Sequence, residues 1–206
     1  MLTEKGQSIE DASMQVIENE IGSHNYNEKE WPIVRRVIHS TADFDFARNN
    51  LIIFHNDAIE NGLNALKTGR SIVVDVNGVV GLINKQRVKE FGNNIICKIS
   101  DSEIVLQAQK ENKTKSQMSM RMASSDIDGG IVVVGNAPTA LLEVIQMVKE
   151  KAVKPALVIG MPVGFISAAE SKEELAKMDV PFITNKGRKG GSPSAAAIVN
   201  ALYKLI

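Results

Sequence analysis

Ile131-Val132-Val133-Val134-Gly135-Asn136-Ala137-Pro138-Thr139-Ala140 is the stretch that decides the fold. Four β-branched residues without polar alternation indicate a strand covered on both faces, as in a parallel sheet. Gly135 permits a tight turn, and Pro138 suits the first turn of a helix whose apolar pattern runs from Ala140 to Lys151. Strand, glycine turn and helix make the repeating unit of an open α/β sheet.

The same order of residue types recurs on either side. Ala156-Leu157-Val158-Ile159 precedes Gly160-Met161-Pro162-Val163-Gly164, with a helix expected over roughly Phe165 to Met178. Leu51 to Phe54 and Ser71 to Val74 are further continuous apolar runs, and Ile95 to Ile99 and Pro181 to Thr184 are weaker ones. Helical patterns at Ala58 to Leu66 and Ser194 to Leu205 alternate with them. The expected fold is a single domain over residues 1–206. It is a three-layer α/β/α arrangement around a mainly parallel, Rossmann-like sheet of about five strands.

Two helices precede the first strand. Ile9 to Ile21 reads as a helix capped by Ser8 and stopped by Gly22. Ile9, Val16, Ile17 and Ile21 form its apolar stripe, which carries Ser13 on the inward side unless that hydroxyl bonds back to its own helix. Pro32 opens a short helix with Ile33, Val34, Val37 and Ile38 on its core face. Arg36 and His39, three apart, share a side of it.

Composition narrows the functions. The chain's 24 basic and 24 acidic residues cancel, which argues against a nucleic-acid partner bound through a general positive field. With 4% aromatic residues, a flat ligand must rest mostly on aliphatic side chains, methionines and glycines. The lone Cys97 allows no intramolecular disulfide and reads as a small buried residue. Met1-Leu2-Thr3-Glu4-Lys5 lacks a signal-peptide core, and Pro155 to Ala169 is too short and too broken to span a membrane. A cytoplasmic protein without a membrane partner is expected.

Open parallel sheets bind ligands beyond the carboxyl ends of their strands. Helix starts beyond Asn136 and Met161 would aim backbone N–H groups at that rim. Gly187-Arg188-Lys189-Gly190-Gly191-Ser192-Pro193 adds a third turn, with Ser192 as helix cap and two mobile cations. Its spacing matches neither the Walker loop nor the dinucleotide fingerprint. Met118, Met120 and Met122 read as core filling, which leaves Arg121 in need of a partner.

Of the three histidines, His24 lies in a polar loop and His55 ends a strand, from which it could face the rim. His39 closes a helix, where the dipole favours imidazolium and Asp43 could orient the ring, while Arg36 opposes protonation until an anionic ligand neutralises it. Asp43 and Asp45 lack the histidine or cysteine spacing of a metal site, and no metal is expected.

Arg36-Val37-Ile38-His39-Ser40-Thr41-Ala42-Asp43-Phe44, Gly135-Asn136-Ala137-Pro138-Thr139-Ala140-Leu141, Pro155 through Leu175, and Gly187-Arg188-Lys189-Gly190-Gly191-Ser192 with Ala195-Ala196-Ala197 together resemble the precorrin-8X methylmutase family, in the family's order and across nearly the whole chain. The resemblance implies an isomerase that moves a methyl group from carbon 11 to carbon 12 of precorrin-8X or cobalt-precorrin-8, giving hydrogenobyrinate or cobyrinate. It implies a cofactor-independent reaction and a homodimer whose partner helps close the site. By the same resemblance His39 is the proton donor and acceptor, and Arg36 and Ser13 contact the substrate. Such a ring, edged by carboxylates, calls for polar contacts around an apolar floor, for which Thr41, Arg121, Asn136, Thr139, Arg188 and Lys189 are the candidates. The competing readings are a non-catalytic corrinoid carrier and a nucleotide-binding α/β enzyme. Single-turnover conversion of precorrin-8 would exclude the first, and the missing fingerprints count against the second.

Overall fold

A computed structural model describes residues 3–206; Met1 and Leu2, part of the stretch read as lacking a signal core, lie outside the described residues. Six strands form one sheet: β1 (Ile52–Phe54), β2 (Ile72–Val74), β3 (Ile95–Ile96), β4 (Ile131–Val134), β5 (Leu157–Gly160) and β6 (Phe182–Asn185), in the order β1-β6-β5-β4-β2-β3. The helices before β2 are α1 (Glu4–Ile21), α2 (Trp31–Thr41), α3 (Asp45–Arg48) and α4 (Ala58–Lys67). Between β2 and β4 come α5 (Asn77–Leu82), α6 (Lys85–Glu90), α7 (Ile104–Lys110), α8 (Lys115–Met122) and α9 (Ser124–Ile127). The last three are α10 (Pro138–Lys149), α11 (Ala168–Leu175) and α12 (Ser192–Lys204).

Every strand expected from the sequence is present, and five of the six run parallel. The sixth, β1, is an edge strand antiparallel to β6, so the sheet is larger than expected and mixed at one edge. Ile131 and Val133 of β4 point into a core shared with α2, α4, α5 and α12. Val132 and Val134 point into a second core under α8, α9, α10 and α11. That two-sided burial is why the run lacks polar alternation. Of the three methionines expected to fill the core, Met120 lies in the second layer and Met118 is buried, while Met122 is half-buried.

Three groups of helices depart from the expectation. α1 begins earlier, with Thr3 Oγ1 accepting the Gly6 N–H at 3.1 Å, so Ser8 is not its cap. Its inward side is Met14, Ile17 and Ile21, while Ile9 and Val16 are 59% and 53% exposed. α11 starts only at Ala168, because Gly164 at φ 153° and Ser167 at φ 61° hold non-helical backbone between β5 and the helix. Phe165 and Ile166 are left in that turn, each 85% exposed. The five helices α5 to α9 carry no clear period in the sequence because each has eight residues or fewer.

One side chain joins two units of the sheet. Asp75, at the end of β2, is fully buried and accepts the N–H groups of Gly135 at 2.9 Å and of Asn136 and Ala137 at 2.8 Å. It thereby fills the positive terminus of α10, where unpaired amides would otherwise seek an anion. Burial raises its carboxyl above the ordinary carboxylate range, against the pull of the three amide bonds. Gly135 has to be glycine, because a Cβ there would lie 2.7 Å from Val79 and 2.9 Å from the Ser192 Cα.

Asp75→Asn keeps the shape but turns an NH₂ group toward amide donors. Charge-assisted bonds and unsatisfied buried donors are each worth ~1–3 kcal/mol, so the variant should lose about 2–4 kcal/mol in urea unfolding. A loss below about 0.5 kcal/mol would show that water or backbone shifts replace the carboxylate.

Candidate functional site

The carboxyl ends of β2, β4, β5 and β6 share one rim, and the end of α2 leans against it. α2 packs along α12, and Ser40 Oγ lies 3.3 Å from the Pro193 carbonyl at the start of α12. The left-handed Ala42 (φ 53°) ends α2, its N–H donating to the Ile38 carbonyl. His39 is therefore held in the last helical turn. With Ser13, Val16, Ile17, Ile38, Ala42 and Phe44 it lines a shallow groove of about 290 Å³.

His39 is half-buried, and its ring hydrogen-bonds to no other described residue. Burial and the Arg36 charge hold its imidazole below the usual histidine range, with Glu10 pulling the other way. It is thus neutral near pH 7, with a nitrogen free to take a proton. Arg36 is not free. Its guanidinium lies 2.8 Å from Glu10, which also takes the Lys204 ammonium.

The other two histidines lie elsewhere. His24 stacks on Trp31, at 3.9 Å between centroids, at the opposite end of α2 from His39. His55, which could have faced the rim from the end of its strand, does not. Because β1 runs antiparallel, its N–H bonds the carbonyl of Phe182 at the start of β6, on the far edge of the sheet.

The expected polar contacts divide. Ser13 and Thr41 reach the groove end of α2, but their hydroxyls bond back to Ile9 at 2.8 Å and Val37 at 2.9 Å. Lys189 arrives beside the same helix end, although its ammonium is already held by Asp43 at 2.7 Å and Asp45 at 2.6 Å, which raises its pKa. Asp43 is thereby committed to lysine rather than to the His39 ring. Arg188 lies over the Phe165 ring at 5.8 Å and forms no ion pair among the described residues.

Asn136 and Thr139 sit at the start of α10. The Asn136 amide is taken by Asp75, and the Thr139 hydroxyl lies 3.2 Å from that of Thr114. The helix start beyond Asn136 is therefore not an open anion site. No helix start follows Met161, whose carbonyl instead accepts the Gly191 N–H at 2.8 Å. Arg121 finds the partners that its place in the methionine series called for. It pairs with Glu143 and, at 3.2 Å, with Glu150, which caps the carboxyl end of α10. Within the chain its guanidinium is thus committed to two carboxylates of α10.

α12 contrasts with α10: no side chain caps its amino terminus, and Gly191 rather than Ser192 is its cap residue. The neighbouring Ser194 hydroxyl is buried without a partner. Sequence reasoning missed three residues here, Asp75, Phe165 and Lys172. Only Asp75 left a signal, a carboxylate directly after an all-apolar strand. Among the described residues, no group of three His, Cys, Asp or Glu side chains is placed to hold a metal ion. No helix among them is long and apolar enough to cross a membrane.

These features define a doubly wound α/β protein with a half-buried histidine at the carboxyl rim. The precorrin-8X methylmutase family pattern matches residues 8–205, and the chain belongs to that family. It is 51% identical to a cobalt-precorrin-8 methylmutase of Priestia megaterium, over 98% of this chain and 88% of that one. To a precorrin-8X methylmutase of a Sinorhizobium species it is 34% identical, over 97% and 94%. A solved precorrin-8X methylmutase from Thermus thermophilus superposes with a TM-score of 0.89 at 39% identity, covering 97% of this chain and 96% of that one.

Charge placement makes a direct prediction. Arg36→Met removes a neighbouring cation, so the His39 titration followed by NMR should move up. Glu10→Gln removes the opposing anion and should move it down. An unmoved midpoint in both variants would show that burial alone sets the histidine.

Proposed function

We propose that this chain is a cytoplasmic methylmutase that moves the methyl group from carbon 11 to carbon 12 of precorrin-8X or cobalt-precorrin-8, with His39 as general acid and base. The observation that carries the reading is the position of His39: neutral, unpaired and half-buried in an apolar groove at the rim. The named activities of the relatives support the substrate, and the match over residues 8–205 supports one methylmutase domain.

A redox-neutral isomerisation needs only a proton lent and returned. His39 takes a proton and donates it to the macrocycle, drawing electron density from the conjugated system. The methyl group then migrates with its bonding pair, and the proton returns to the imidazole. A well-placed general acid contributes roughly 10²–10⁴-fold, and the remainder comes from holding the ring in a reactive conformation.

Substrate carboxylates complete the electrostatics. A substrate carboxylate on Arg36, with Glu10 kept on Lys204, would add a second anion beside His39 and offset the charge that depresses it, so binding itself raises the basicity of the catalyst. Arg188 with Phe165, and the uncapped start of α12 beside Ser192, offer further anion and ring contacts. Ser13, Thr41, Asn136, Thr139 and Lys189 stand along the same rim as polar contacts. The groove is shallow, and we assign a second copy of the chain as the wall that closes it.

His39→Asn should still fold, elute at the dimer mass by light scattering and bind corrinoid, while single-turnover conversion falls by roughly two to four powers of ten. His24→Asn and His55→Asn should retain most activity. Near-normal conversion by His39→Asn would falsify the catalytic assignment, and a wild-type chain that binds precorrin-8 without shifting its spectrum would be a carrier.

A further inference from the structure

Lys172, on α11, is 1% exposed, and among the described residues no carboxylate lies within ion-pair distance of it. A buried ammonium without a counter-ion is costly, so its hydrogen bonds must make up for the lost hydration. Its Nζ lies 2.6 Å from the Lys189 carbonyl and 3.3 Å from Asn185 Oδ1. Asn185 Nδ2 in turn donates to the same Lys189 carbonyl at 2.8 Å and to that of Lys186 at 2.9 Å. Two buried donors thus converge on one carbonyl beneath the basic loop.

That loop has no slack on its inner side. Gly190 stands at φ 152°, and a Cβ there would lie 2.4 Å from the Met161 carbonyl oxygen. The next residue, Gly191, donates to that same oxygen. On the outer side, the Lys189 ammonium grips Asp43 and Asp45 just past the end of α2. A path of short contacts therefore runs from Lys172 through the Lys189 backbone and side chain to Asp43 and Asp45, just past the helix that carries His39.

We propose that Lys172 is a positioning residue, a buried cationic pin that sets the height of the Lys186–Gly191 loop so that Arg188 and Lys189 meet the substrate's carboxylates. The inference rests on the reading of the rim as the corrin site. Burial lowers the Lys172 pKa to about 8, so the pin loses its charge in mildly alkaline solution. The charges around it are those of Lys186, Arg188 and Lys189 on the loop, Asp43 and Asp45 beyond Lys189, and Glu170, Glu173 and Glu174 on its own helix. Glu174 is engaged by Lys149.

The test compares Lys172→Met with wild type in steady-state turnover of precorrin-8 between pH 6.5 and 9.5. In the variant at pH 7, KM should rise at least about tenfold while kcat stays within about threefold. Wild-type KM should climb above pH 8, and this limb should be absent in the variant. A merely structural lysine would lower the melting temperature without moving the limb. A folded variant with wild-type KM, or one that keeps the alkaline limb, overturns the inference and leaves the methylmutase reading standing. A wild-type chain that neither binds nor converts precorrin-8 overturns both.

Should Lys172→Met fail to fold, ¹³C-lysine NMR of the wild type decides, with the resonance assigned by Lys172→Arg. Its midpoint near pH 8 should move up when the corrinoid product is added, since the charged pin and the bound anion stabilise each other. A midpoint unmoved at saturation contradicts the inference.

Discussion

The buried Asp75 carboxylate is the constraint on which the arrangement of the rim depends. Three amides of the β4–α10 turn converge on its two oxygens, which fixes the end of β4 against the end of β2. The turn is then pressed so closely on the start of α12 that residue 135 has no room for a side chain. α12 in turn packs along α2, which carries His39. The same carboxylate closes the amino terminus of α10 to any other anion, leaving that of α12 uncapped nearby.

The cations at the rim are mostly answered from within the chain. Arg36 and Lys204 share Glu10, and Lys189 is held by Asp43 and Asp45. Ion pairs open to solvent contribute only about 0–1 kcal/mol, so an incoming carboxylate can exchange with Asp43 or Asp45 at little cost. The Glu10 site is more enclosed, and its exchange changes the electrostatics of His39 as well as the contact. Binding and proton affinity are coupled in this way without any moving domain.

How much of this the sequence carried depends on where each signal lies. The strands β2, β4 and β5 were legible because every residue in them faces a covered side, and short β-branched runs without polar alternation suit a doubly covered strand. The reversed direction of β1 was not legible, since pairing direction leaves no trace in a three-residue strand, and His55 was misplaced with it. That Arg121 needs a partner was legible from the methionines around it, but not that the partners would be Glu143 and Glu150, which lie more than twenty residues further along the chain. Ser13 was placed on an inward stripe of Ile9, Val16, Ile17 and Ile21, of which only Ile17 and Ile21 turn inward, joined by Met14. His39 and Arg36 were legible as a pair because three-residue spacing on a helix fixes a shared side. Lys172 was not, because nothing in a polar helical segment says which lysine is buried.

The central claim is that His39 reaches the macrocycle. A structure of the wild-type protein with the bound corrinoid product tests this most directly. The expected result is a ring nitrogen of His39 within hydrogen-bond distance, roughly 2.6–3.2 Å, of the macrocycle's proton-accepting atom beside the migrated methyl group. A product carboxylate should also sit on Arg36 in place of Glu10. A product bound with His39 more than about 6 Å from the ring, beyond reach even through one water, would contradict the claim.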